Sequence, residues 1–145
     1  MLRRVLVGFD GTNDARAALR LALALAADAG GGEVVALSVV PDSRGETVED
    51  RRGAFDADAG PLRQRAQADM AAWGDPQVRA WVEVAPGDHP ARTLLAQAER
   101  GGFDLLVVGR HGGDRLLHGG LGRVARELVE HARCPVLVVG DQGSS

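Results

Sequence analysis

The sequence predicts an α/β fold with three layers, in which an open, twisted, parallel sheet of five strands carries helices on both faces. Two observations predict it. Short apolar runs rich in Val and Leu alternate strictly with segments of helical periodicity. These runs are continuous rather than alternating, which is typical of parallel strands buried on both faces. At 145 residues the chain is long enough to bury a core, and we expect residues 1–145 to form a single domain.

The first half of the chain begins with two predicted strands joined by a helix. Residues 5–9 form an apolar run that opens into the turn Asp10-Gly11-Thr12. From Asn13 onward apolar residues recur at helical spacing until three consecutive glycines at 30–32 end the helix. Residues 34–40 are the second buried strand.

A polar segment, residues 42–60, follows the second strand. It is rich in arginine and acidic residues, so we expect a solvated connector, with a mobile lid over a ligand as the alternative. A second helix is predicted to start at Pro61, since proline suits the first turn of a helix, and to run to about Trp73.

The second half continues the alternation of strands and helices. Residues 78–84 alternate apolar with more polar side chains, which indicates a half-exposed strand at an edge of the sheet. The remaining predicted elements are a helix over 91–98, a strand over 105–108, a helix over 121–132 and a strand over 135–139.

The most informative segment for function is residues 109–123, GRHGGDRLLHGGLGR, between the fourth strand and the last helix. Gly109, Gly112 and Gly122 stand at the spacing G-x2-G-x9-G, and only Asp114 opposes the basic side chains of the segment. A glycine-rich loop before a helix directs backbone N–H groups and the positive end of the helix dipole at one point. The segment therefore predicts a phosphate site at the carboxyl ends of the strands.

Composition excludes several other functions. The net charge is −3, so we expect no nucleic-acid binding. All 17 basic residues are arginine, which excludes a P-loop lysine and any lysine base. No apolar run reaches the roughly 18 residues of a membrane span, and no signal peptide is apparent. With a single cysteine, Cys134, the expected location is the cytoplasm.

Five motifs together resemble the universal stress protein family, and the resemblance covers essentially the whole chain. They are the glycine spacing, residues 7–12 (VGFDGT), residues 85–87 (APG) with 103–109 (FDLLVVG), and residues 134–139 (CPVLVV). This resemblance implies a Rossmann-like sheet similar to the adenine-nucleotide α-hydrolase architecture. It also implies a regulatory or stress-response protein that binds ATP, accompanied by Mg²⁺. Such proteins are usually homodimers, here through the last strand with Val136, Leu137, Val138 and Val139.

The resemblance also assigns roles to individual residues. Asp10 is expected near the ribose and Val39 in the adenine pocket, while the amides of Gly112, Gly113 and Gly122 would hold phosphates. The complete set of expected nucleotide-binding residues is Asp10, Gly11, Thr12, Val39, Val108, Gly109, Arg110, Gly112, Gly113, Gly122, Arg123 and Val124.

The chain departs from the ATP-binding pattern after the third glycine, where Arg123 replaces the usual serine or threonine and Ala125 also lacks a hydroxyl. Arg123 has three interpretations: it contacts phosphate, it occupies the phosphate position, or it pairs with Glu127 on the helix surface. The alternative function is accordingly a nucleotide-free dimeric interaction module.

No catalytic or metal-binding residue is predicted, and any ATP hydrolysis is expected to be slow. The loop S-G-G-x-D-S, typical of enzymes that cleave between the α- and β-phosphates, has no match at residues 8–13. His111 and His118 are expected to be surface histidines and Cys134 a small apolar filler. Asp10 or Thr12 is expected to cap the first helix.

Overall fold

The computed structural model describes residues 2–41, 45–111 and 121–141. Within these ranges five strands alternate with four helices: β1 (Arg4–Gly8), α1 (Asn13–Asp28), β2 (Gly32–Val40), α2 (Val48–Trp73), β3 (Val78–Pro86), α3 (Pro90–Arg100), β4 (Leu105–Gly109), α4 (Arg123–His131) and β5 (Val136–Val139). All four strand pairs are parallel, in the order β3-β2-β1-β4-β5. The predicted fold class is confirmed.

The two faces of the sheet carry separate cores, as the period-two geometry of a strand requires. In β1, Val5 and Val7 face one way and pack with α1 and α2, whereas Leu6 faces the other way and packs with α3 and α4. In β4, Val107 packs with α1 and α2, and Leu106 packs with α3 and α4. Every residue of these two strand centres is apolar because both faces are covered, which gives the three layers.

The strand order places a crevice at the centre of the sheet. From β1 the chain crosses to β2 on one side and later returns to β4 on the other side. The loops after β1 and β4 therefore diverge to opposite faces, and ligands of open α/β sheets bind at such a switch point. The order also puts β3 at an edge, which confirms the prediction for residues 78–84, and β5 at the other edge.

The prediction for the segment before Pro61 is wrong for residues 48–60. Helix α2 begins at Val48 and continues through Pro61, which lies in its interior instead of in its first turn. The Oγ1 of Thr47 accepts a 2.9 Å hydrogen bond from the Asp50 amide and caps the helix, and Glu49 and Asp50 complement the positive end of the dipole. Helix propensity and capping thus determine where α2 begins, although its first turns show no apolar periodicity. Residues 42–44 lie outside the described residues.

Helix α2 is 26 residues long but polar, and its buried residues are only Ala59, Ala66 and Asp69. None of the helices in the described ranges is long and apolar enough to span a bilayer.

Candidate functional site

A cavity of about 360 Å³ opens at the carboxyl ends of β1, β2 and β4. Its volume lies in the range of small-molecule sites, roughly 300–1,000 Å³. The lining residues are Gly8, Phe9, Asp10, Ala15, Leu37, Val39, Leu62, Pro90, Leu94, Val108, Gly109, His111, Arg123, Val124 and Ala125.

The turn after β1 presents a carboxylate to this cavity. Gly11 has a φ of 81°, a left-handed conformation that favours glycine. The Oδ1 of Asp10 accepts hydrogen bonds from the amide of Thr12 at 3.0 Å and from its hydroxyl at 2.6 Å. Thr12 in turn caps α1, since its Oγ1 accepts from the Ala15 amide at 3.3 Å. Thr12 is therefore the cap, and no hydrogen bond engages the Oδ2 of Asp10 within the described residues.

Two glycines let helices approach the ends of β1 and β4 closely. A Cβ on Gly109 would lie 2.9 Å from the backbone of Asp14 and Ala15 at the start of α1. A Cβ on Gly8 would lie 3.0 Å from the Cδ1 of Leu94 on α3. Gly109 is thus required by helix packing, in addition to its expected place in a phosphate loop.

Asp14, in the first turn of α1, joins the ends of β4 and β5. Its Oδ2 accepts from the His111 amide at 3.0 Å and faces the His111 Nδ1 at 3.2 Å, while its Oδ1 accepts from the Asp141 amide at 2.8 Å. Burial raises the pKa of the Asp14 carboxyl, but the hydrogen bonds from Asp141 and His111 outweigh it, so the pKa lies below its usual value. The expectation that His111 is a surface histidine is wrong, because its side chain is only 24% exposed.

The first three residues of α4 line the cavity. The Gly122 amide donates to the Arg110 carbonyl at 2.8 Å, and the Gly122 carbonyl accepts from Arg126. Gly122 is the N-cap, so the amides of Arg123, Val124 and Ala125 belong to the first turn, where a helix offers no internal acceptor. The Gly122 amide, where a phosphate contact was expected, is thus engaged by the Arg110 carbonyl, whereas the amides that follow it have no acceptor within the helix.

Arg123 is exposed and lines the cavity. No ion pair joins it to Glu127 in the part of the chain that the structure describes.

Much of the remaining lining of the cavity is apolar. Val39 and Val108 were expected there, whereas Leu62 on α2, Pro90 at the start of α3 and Leu94 on α3 were not. In the sequence these three side chains look like ordinary packing residues of helices. Their helical spacing predicts burial against the sheet, but it does not predict which turn stands above the strand ends.

The cavity brings together half of the expected nucleotide-binding residues: Asp10, Val39, Val108, Gly109, Arg123 and Val124. The neighbouring turn, the residue after β4 and the N-cap of α4 hold the others that are described: Gly11, Thr12, Arg110 and Gly122. The expected residues Gly112 and Gly113 lie outside the described residues, as does His118.

The described ranges offer few residues suited to metal binding or nucleophilic catalysis. They contain no group of three or more His, Cys, Asp or Glu side chains that could hold a metal ion. Cys134 is half-buried, and burial raises the pKa of its thiol, which keeps it protonated at neutral pH. It packs beside the core of α3 and α4, in keeping with an apolar filler.

Comparison with known proteins places these features in context. The model of the universal stress protein family matches residues 1–140. A solved protein of this family from Burkholderia pseudomallei is 32% identical, with 94% of each chain covered and a TM-score of 0.68. A universal stress protein solved in complex with cAMP is 23% identical and covers 94% of this chain and 96% of its own, with a TM-score of 0.68. A family protein from Arabidopsis thaliana with AMP bound is 22% identical and covers 97% and 93%, with a TM-score of 0.66.

Proposed function

This chain belongs to the universal stress protein family, and we propose that it is a single-domain cytoplasmic regulator that binds an adenine nucleotide, ATP, in the cavity at the strand ends. The observation that carries the proposal is the composition of that cavity. It combines an apolar wall, a carboxylate and the N-terminus of a helix at the topological switch point. The relatives with cAMP and AMP support the adenine class of ligand.

The base and the ribose have complementary surroundings in this proposal. The adenine ring packs on the apolar wall, between Val39 and Leu94. The ribose hydroxyls donate to Asp10, whose Oδ1 is already fixed by Thr12 and whose Oδ2 remains available. An acidic side chain at the end of a strand is the usual partner for ribose hydroxyls in such folds.

The phosphates lie at the start of α4. The amides of Arg123 and Val124 donate to phosphate oxygens, and the positive end of the helix dipole adds attraction. The guanidinium of Arg123 takes the place of the usual hydroxyl and binds phosphate from the rim of the cavity. A Mg²⁺ ion would be held by phosphate oxygens and water.

ATP binding would serve regulation, with little or slow hydrolysis. The Asp10 carboxylate is the acidic group on the cavity wall, and it is assigned to the ribose. An ATP-turnover assay with Mg²⁺ checks this assignment, and steady hydrolysis at rates of ordinary ATPases, about 1 s⁻¹ or faster, would contradict it.

The direct test is nucleotide binding by isothermal titration calorimetry, with Arg123→Ser as the variant and Arg126→Ser as its matched control. Arg126 is an exposed arginine on the same helix that does not line the cavity. We expect Arg123→Ser to weaken ATP binding about tenfold, the scale of one charge-assisted hydrogen bond, and Arg126→Ser to leave it unchanged. Tighter binding by Arg123→Ser would mean that Arg123 occupies the phosphate position.

A nucleotide-free interaction module is the second candidate. The engaged Gly122 amide and the missing hydroxyls at Arg123 and Ala125 favour it. Heat denaturation of the purified protein followed by chromatography of the supernatant separates the two functions. Nucleotide released at near-stoichiometric amounts eliminates the nucleotide-free module, whereas a protein that neither releases nor binds ATP supports it.

A homodimer is part of the proposal. The edge strand β5, with Val136 to Val139, would pair with the same strand of a second copy.

A further inference from the structure

His111 is held by one side of its ring and lines the nucleotide cavity. Its Nδ1 lies 3.2 Å from the Oδ2 of Asp14, and its amide donates to the same oxygen. The Nε2, on the far side of the ring, is buried and has no hydrogen-bond partner within the described ranges. Leaving a buried nitrogen without a partner is destabilising, so such an atom calls for an explanation.

The bond to Asp14 decides what this Nε2 can do. A carboxylate only accepts hydrogen bonds, so the Nδ1 that faces it carries a proton. In the neutral ring, Nε2 is then an acceptor and repels a phosphate oxygen. After the ring takes up a second proton, Nε2–H becomes a donor, and the carboxylate of Asp14 stabilises the positive charge from the other side.

We propose that His111 is a proton-linked phosphate contact of this site: its imidazolium donates Nε2–H to a phosphate oxygen of the bound nucleotide, so nucleotide binding takes up a proton. This inference rests on the proposed nucleotide function. It adds a residue that the glycine motif does not include, and it makes affinity for the phosphorylated ligand rise as the pH falls.

The groups around the ring agree with this role. Asp14 on α1 contacts it, and Asp10 after β1 and Arg123 on α4 share the cavity wall with it. The elements α2 and α3 contribute apolar lining residues to this cavity. The other charged neighbours are Arg110, which precedes His111, and Asp141 after β5, whose amide shares the Asp14 carboxylate. The Asp14 carboxylate faces the ring at Nδ1, and the phosphate supplies the negative partner that offsets Arg123.

Two substitutions separate the phosphate contact from the structural bond. His111→Asn puts an amide nitrogen near the position of Nδ1, so it keeps the bond to Asp14 and removes Nε2. His111→Gln puts a neutral donor near the position of Nε2. His131→Asn is the control, since His131 is 64% exposed at the end of α4 and does not line the cavity.

The experiment is calorimetric titration of each full-length protein with AMP and with adenosine at pH 6 and pH 8, in buffers of different ionisation enthalpy. In the wild type we expect proton uptake with AMP, and at pH 6 an AMP affinity about tenfold above that of His111→Asn. The ionisation of AMP itself is common to all four proteins and cancels in this comparison. We expect adenosine to bind wild type and His111→Asn equally, and His111→Gln to bind AMP with less dependence on pH.

Each of the other outcomes would refute a different part of the proposal. Equal AMP affinity and equal proton uptake by wild type and His111→Asn would refute the contact while the nucleotide function stands. Equal losses of AMP and adenosine affinity in His111→Asn would reduce His111 to a structural role. Failure of both ligands to bind the wild type at either pH, together with failure of ATP to bind in the titration proposed above, would refute the proposed function and this inference together.

Discussion

Arg16 on α1 holds Asp69 on α2 by two hydrogen bonds, from Nε to Oδ2 at 2.9 Å and from Nη2 to Oδ1 at 3.1 Å. The Asp69 side chain is 5% exposed and that of Arg16 is 32% exposed. The guanidinium also lies 5.6 Å from the ring of Trp73, near the end of α2. Few side chains of α2 are fully buried, so this ion pair helps to attach the helix to α1, and α2 carries Leu62 to the cavity wall.

Arg16→Met is expected to lower the free energy of unfolding by about 2–3 kcal/mol. Loss of one partner of a buried pair costs ~3–5 kcal/mol, and the partial exposure of this arginine reduces the penalty. Arg20→Met is the control: Arg20 lies 5.3 Å from the same Trp73 ring but does not bond Asp69. Urea unfolding measures both variants. Equal losses in the two would mean that packing on Trp73, and not the ion pair, attaches α2.

Gly109→Ala and Gly53→Ala are expected to change stability in opposite directions. A Cβ at Gly109 would lie 2.9 Å from backbone atoms of α1, so we expect a loss of about 1–3 kcal/mol. A Cβ at Gly53 meets nothing within 4 Å and stands in helix α2, so we expect a gain of about 0.5–1 kcal/mol. Thermal or urea unfolding checks both. A neutral Gly109→Ala would contradict the close approach of α1 to β4.

The strands were predictable from the sequence because a parallel strand that is covered on both faces consists of a continuous run of apolar residues. The position of the site was also predictable, since Asp10, Val39 and Gly109 follow or end such runs. The start of α2 was not predictable in this way. Its first turns are exposed, and Thr47 with the acidic residues after it determines where the helix begins.

The contact of His111 with Asp14 escaped prediction for a different reason. Its partner, Asp14, is 97 positions away in the sequence, and the two meet only because α1 starts directly above the end of β4. The spacing of the two residues in the sequence gives no indication of that contact. The bond from the Gly122 amide to the Arg110 carbonyl is equally invisible, because it depends on how the loop between them closes.

Val138→Pro is expected to convert a β5-linked dimer into monomers. The carbonyls of Pro135 and Val139 accept hydrogen bonds from Leu106 and Arg110 on the side of β4, so by alternation the backbone N–H of Val138 points to the open edge. Proline removes that donor and leaves the pairing with β4 intact. Val138→Ala, which keeps the N–H, is the control. Sedimentation velocity reads the mass, and a dimer that persists in Val138→Pro would exclude pairing through β5.

Asp14→Asn is expected to lower the free energy of unfolding at pH 7 by about 1–2 kcal/mol, since the neutral side chain offers one acceptor oxygen where the carboxylate uses two.

The folded-state pKa of Asp14 lies below the usual value of 3.8, so its ionised form contributes stability that is fully present above that value. The contribution is lost as the pH falls through the lower, folded pKa. The difference between wild type and Asp14→Asn should therefore shrink as the pH falls below 3.8. Asp28→Asn, at the exposed carboxyl end of the same helix, removes an equal charge with no such loss because a negative charge is unfavourable there. Urea unfolding at a series of pH values measures all three proteins, and a wild-type advantage over Asp14→Asn that grows as the pH falls below 3.8 would contradict the lowered pKa.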